Sequence, residues 1–164
     1  MDHLTQLEEL LNQANLDIKN GAYEKASNLL EKIIDTDPNF GKAYNHLGYL
    51  YEVKFKEFEK GETLYKLCLE KTPLYPAVYH NYAILLSTLG KFDELKKLLD
   101  TAITIPGVTK STMYNEYGIM FEQLGQLDEA ITYYRKAGME TLDQSFLDRA
   151  KSSIARCTSK KDLF

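Results

Sequence analysis

The sequence is poor in cysteine. Cys68 and Cys157 are its only two, and they stand 89 residues apart. That number and spacing argue against a disulfide framework, and a zinc-type site needs more ligands, so no metal and no cofactor is expected. Cation excess is missing as well. Twenty Lys and Arg against 24 Asp and Glu give a formal charge of −4, which supplies no phosphate-neutralising field, so no nucleic-acid partner is expected. No run approaches the ~18 apolar residues of a membrane span. The segment Met1-Asp2-His3-Leu4-Thr5-Gln6-Leu7-Glu8-Glu9 lacks the basic start and apolar core of a secretion signal. The expectation is a cytoplasmic chain with no membrane contact. A Gly-rich phosphate loop and a nucleophile motif are absent too, so no catalytic residue is assigned and the chain reads as a non-enzyme.

What the sequence does have is a recurring phrase. Tyr44-Asn45-His46-Leu47-Gly48 returns as Tyr79-His80-Asn81-Tyr82-Ala83 and as Tyr114-Asn115-Glu116-Tyr117-Gly118, at steps of 35 residues. A fainter copy, Leu10-Leu11-Asn12-Gln13-Ala14, lies 34 residues before the first. Repeats of this period stack into solenoids, in which each unit buries its apolar face against its neighbours. The composition, 44% hydrophobic and 27% charged, is that of a folded chain with enough apolar surface to do so.

Each unit reads as two amphipathic helices. Tyr44, Leu47, Gly48, Tyr51 and Phe55 keep the spacing of one buried helical face, as do Tyr79, Tyr82, Ala83 and Leu86. The small residue in each phrase predicts a close approach of the two helices. Gly21, Gly90 and Gly125 stop the first helices of the first, third and fourth units, since glycine accepts the left-handed conformation that ends a helix. The second unit has one extra residue and lacks this glycine. Its turn reads Phe55-Lys56-Glu57-Phe58, which predicts a longer first helix. Pro38, Pro73 and Pro106 close the first three units. After the fourth, Thr141 and Gln144 fit a capping box, and Leu142, Phe146, Leu147, Ala150 and Ile154 form one apolar stripe. A single unpaired helix covering the last unit is the reading.

These residues resemble the tetratricopeptide repeat family, whose signature is an aromatic, a large apolar residue and Gly three and four places on, and an aromatic three further. Tyr44, Leu47, Gly48 and Tyr51 meet it, with Tyr replacing the usual Trp; Tyr114, Tyr117, Gly118 and Phe121 nearly do. The second-helix signature, a small residue and an aromatic four later, appears as Gly61 with Tyr65 and Ala130 with Tyr134; the first and third units carry Ala26 with Leu30 and Leu95 with Leu99 instead. The resemblance implies an all-α, right-handed α-solenoid of four helix-turn-helix repeats with a terminal capping helix. A single repeat domain over 1–157 would hold units at about 7–40, 41–75, 76–108 and 111–142, a cap helix at 142–157 and a flexible tail at 158–164. The pentatricopeptide RNA-binding repeats share the period, but the acidic balance, the closing prolines and the Gly/Ala pattern fit the tetratricopeptide family better.

In that family the first helices line a concave groove that takes peptides. The implied lining comprises Glu8, Leu11, Asn15 and Lys19; Lys42, Asn45, Tyr49, Glu52 and Val53; Ala77, His80, Ile84 and Thr88; and Thr112, Asn115, Ile119, Glu122 and Gln123. Asn45, His80 and Asn115 form a polar ladder at one equivalent position, and Tyr49, Ile84 and Ile119 an apolar ladder one turn on. The polar ladder either pairs with a peptide backbone or hydrogen-bonds across neighbouring helices. The clamp that some family members close on a chaperone's C-terminal carboxylate is not matched. Its positions hold Leu11, Asn15, His46, Ala77 and Asn81 from the first unit, or Asn45, Tyr49, Asn81, Thr112 and Glu116 from the second, with no cation in either register. Two functions stay open. One is a protein-binding adaptor, monomeric or weakly oligomeric. The other is a structural protein that self-associates through Leu4, Leu7 and Leu11 at its N-terminal end.

Overall fold

The computed structural model describes residues 2–163. Met1 and Phe164, the ends of the expected repeat domain and tail, lie outside the described residues. The chain divides into two compact units, Met1–Leu85 and Leu86–Phe164. The first holds α1 (His3–Lys19), α2 (Tyr23–Thr36), α3 (Gly41–Tyr49), α4 (Phe58–Lys71) and most of α5 (Pro76–Thr88). The second holds the end of α5, then α6 (Phe92–Ala102), α7 (Lys110–Gln123), α8 (Leu127–Met139) and α9 (Gln144–Lys161). No strand occurs among the described residues.

The turn glycines act as their spacing predicts. Gly21, Gly90 and Gly125 have positive φ of 77°, 67° and 74°. In each turn the glycine N–H donates three residues back, and the next N–H donates five back: Ala22 to Asp17, Lys91 to Leu86 and Gln126 to Phe121. Together these bonds satisfy the last carbonyls of the helix.

The second repeat solves the same problem with its extra residue. Lys56 takes the glycine's place at φ 59°, and the closing bond, Glu57 N–H to Tyr51 O, spans six residues instead of five. The surplus is absorbed upstream, where Leu50–Phe55 continues α3 as a π-helix. One wide turn lets an inserted residue pass without shifting the helix faces on either side. The first helix is therefore longer, as expected, and the reason is a change of pitch.

The small residues of the phrase make room for an aromatic ring. A Cβ added to Gly48 would lie 2.8 Å from Tyr65, and one added to Gly118 would lie 2.6 Å from Tyr134. Both tyrosines are buried, at 0% and 1% exposure. The first repeat holds Ala14 and Leu30 at these places, both fully buried. Glycine goes with tyrosine and alanine with leucine, so the pair conserves volume, as a close-packed interior requires. The phrase tyrosines have a second duty. The hydroxyls of Tyr44 and Tyr79 donate to the carbonyls of Pro38 and Pro73 at 3.0 and 2.7 Å, tying each first helix to the loop before it.

The C-terminal helix departs from expectation in three ways. Its N-cap is Asp143, whose carboxylate accepts from the N–H groups of Ser145 and Phe146, so the Thr141–Gln144 box does not form. Leu142 stands outside the helix and fully exposed, while Ala150 and Cys157 supply the buried contacts. The helix also runs to Lys161, through most of the tail expected to be flexible. Lys160 and Lys161 hold that last turn through side-chain bonds to Glu122 and Asp128, partners that a search for apolar residues passes over.

Candidate functional site

In the first compact unit, packing consumes several of the expected groove residues. Leu11 is 5% exposed and belongs to the core. Asn45 is 2% exposed, and its Oδ1 accepts from Asn81 Nδ2 at 3.1 Å. A buried amide needs a partner, and Asn45 finds it on α5, so this rung of the polar ladder joins helices instead of facing a ligand. Glu52, on the π-helix, is also buried; its carboxylate accepts from the Tyr65 hydroxyl at 2.6 Å, and burial holds its pKa above the usual carboxylate value. Lys42 pairs with Glu8 at 2.6 Å. Asn15 and Tyr49 are half-buried, and His80 and Ile84 are exposed. Burial around the His80 imidazole lowers its pKa, which favours the neutral ring.

The alternative of self-association loses its motive here. Leu7 and Leu11 are buried beneath α2 in the core of this unit, and only Leu4 remains exposed.

The second compact unit brings the remaining residues together. Asn115 and Ile119 on α7 line an open cavity of about 490 Å³ with Tyr134 of α8 and Phe146, Arg149, Ser152, Ser153 and Arg156 of α9. A smaller basin of about 250 Å³ continues from it, sharing Ile119, Tyr134 and Arg156 and adding Glu122, Gln123 and Lys160. The expected polar and apolar rungs thus sit side by side on one groove wall, and the C-terminal helix forms the other wall.

Glu122 is the fixed point of that groove. Its carboxylate accepts from Tyr134 at 2.8 Å, from Arg156 Nε and Nη2 at 2.8 and 2.7 Å, and from Lys160 at 2.7 Å. The Arg156 fork holds its pKa well below the usual carboxylate range. Glu122 therefore anchors α9 and is not available to a ligand. The equivalent pair in the second repeat, Tyr65 with Glu52, lacks this double cation, and its carboxylate shifts the other way.

A tetratricopeptide repeat family model matches residues 111–137, the span of α7 and α8. Solved structures match over far more of the chain. The pilF protein of Pseudomonas aeruginosa aligns with a TM-score of 0.83 at 17% identity, covering 95% of this chain and 69% of that one. The chain has the fold of the tetratricopeptide repeat proteins. MamA aligns at 0.73 with 22% identity over 82% of this chain and 77% of its own. YrrB, a tetratricopeptide repeat protein with an unusual peptide-binding site, aligns at 0.73 with 18% identity over 93% and 76%. At these identities the likeness is one of fold. No curated protein matches this chain.

Within this tetratricopeptide fold, the reading of the cap helix by its apolar stripe missed the groove-facing polar stripe of the same helix. Arg149, Ser152, Ser153, Arg156 and Lys160 recur at helical spacing and all line the groove. The signal was present as five cations against Asp148 alone in Gln144–Lys161, within a chain of net charge −4.

Proposed function

We propose that this tetratricopeptide repeat protein is a non-enzymatic scaffold that binds a peptide or partner segment on its first-helix faces. The observation that carries the reading is the open groove beside α7. There Asn115 and Ile119 are left at the wall of a cavity of about 490 Å³ instead of being closed by neighbouring helices. A groove with an apolar floor and a few convergent polar groups suits a segment of polypeptide. His80 and Ile84 present the same residue types on the other compact unit. The family's members act through such surfaces, and the peptide-binding site of YrrB gives a precedent on this fold. Both cysteines are free and buried, and burial pushes the Cys68 thiol up to about 11, so that thiol is a poor nucleophile.

The test is affinity capture from the native organism with the wild-type chain and with a variant carrying His80→Ala, Asn115→Ala and Ile119→Ala. Circular dichroism checks that both are folded. The proposal expects partners that the variant loses. Identical partner sets from the two proteins would refute it.

A further inference from the structure

The groove between α7 and α9 is charged in a way that selects its occupant. Arg156 and Lys160 are committed to Glu122, Lys161 to Asp128, and Lys151 to Asp148. Arg149 is different: among the described residues it enters no ion pair. Its guanidinium lies 5.3 Å from the centre of the Phe146 ring, which holds the charge at the groove wall; the Asp143 carboxylate feels that charge without pairing to it, being bonded as the N-cap of α9 to the N–H groups of Ser145 and Phe146. Beside it lie an apolar floor of Ile119, Phe146 and the Tyr134 ring, and the hydroxyls of Ser152 and Ser153. Asp148 also lines the cavity, but it accepts from Gln144 at 2.8 Å and faces Lys151 at 3.9 Å.

We infer that this groove binds a short acidic segment of a partner protein, with a carboxylate on Arg149 and an adjacent apolar side chain on Ile119 and Phe146. The inference rests on the scaffold reading and narrows it to one groove and one ligand chemistry. The Asn115 amide and the two serines can pair with the backbone of the segment. From Asn115 to Gln123, α7 covers about 12 Å at its rise per residue, which an extended strand spans with about four residues. One unpaired cation suits a carboxylate better than a polyphosphate, whose binding needs several.

The test uses the full chain and fluorescent hexapeptide pools of three kinds: Asp or Glu alternating with Leu or Phe, the same with Asn or Gln, and the same with Lys. Anisotropy measures affinity, and amide shifts locate binding. The acidic pool is expected to bind most tightly, shifting 115–123 and 146–156. Arg149→Glu should weaken it roughly tenfold or more, while Arg135→Glu, the same charge change at an exposed position of α8 off the groove lining, leaves it within about twofold. Four results each overturn the assignment: no pool binding, equal binding of all pools, equal effects of the two substitutions, or tighter binding of a single-stranded oligonucleotide. If the acidic pool fails while the Asn115→Ala, Ile119→Ala protein still loses a native partner, this assignment falls and the scaffold reading stands.

Discussion

Replacing Gly118 by alanine tests the packing logic of the repeat. Alanine is worth about 1 kcal/mol over glycine inside a helix. Its Cβ, however, would lie 2.6 Å from two ring carbons of Tyr134, and overpacking a full core costs about 1–3 kcal/mol. Gly118→Ala should therefore be neutral to about 2 kcal/mol destabilising. Tyr134→Leu removes ring contacts and the hydroxyl bond to Glu122, about 3 kcal/mol in all, but Glu122 keeps Arg156 and Lys160. In the double variant the overlap is gone and the new methyl fills part of the vacated space. The site then resembles Ala14 with Leu30, which the first repeat buries completely. The double variant should be more stable than the sum of the singles by about 1–3 kcal/mol. Urea unfolding followed by circular dichroism reads this as midpoint shifts at constant slope. Additivity within about 0.3 kcal/mol would refute the claim that the two positions share one volume.

Three further predictions follow from the turns and the carboxylates. Lys56→Gly should stabilise the second repeat by about 0.5–1 kcal/mol, read by urea midpoint, because Lys56 holds a left-handed conformation at φ 59° that glycine adopts without strain. Glu52→Gln should raise Tm at pH 7, with a gain that shrinks as pH falls towards 4. The folded state raises this pKa, so in the window above the unfolded value of 4.5 the native chain holds more protons and wild-type stability drops as pH rises. Arg156→Ala with Lys160→Ala should release α9, speeding hydrogen exchange at 144–161 by roughly tenfold or more and leaving α1–α4 unchanged. The same double substitution should also make stability less sensitive to acid. Glu122 titrates low in the native chain, so its contribution is present above the unfolded pKa and is lost as pH falls.

Much of the fold was legible because helix faces and turns are local. The spacing of Tyr44, Leu47, Gly48 and Tyr51 predicts one buried face whatever it meets, and Gly21, Gly90 and Gly125 predict left-handed stops. Less was legible where a residue's fate depends on a partner far along the chain. Asn45 looked like groove lining until Asn81 took its amide, and Glu52 until Tyr65 took its carboxylate. The π-helix was foreshadowed by the extra residue, but the choice between a longer loop and a wider turn is made by packing. The cap helix was the reverse case. Its charges are in plain view in the sequence, but an apolar stripe alone does not show which face they occupy, and the structure puts Arg149 and Lys160 on the groove. Of the expected site, Asn115 and Ile119 came together on one groove wall, and Glu122 became the anchor of the opposite wall.

The proposed scaffold holds its partner in the groove beside α7. A photocrosslinking residue placed at Ile119, compared with one at the exposed Thr132 on α8, tests it most directly in the native lysate. A discrete partner should be captured from position 119 and not from 132. Capture from 132 with none from 119 would contradict it.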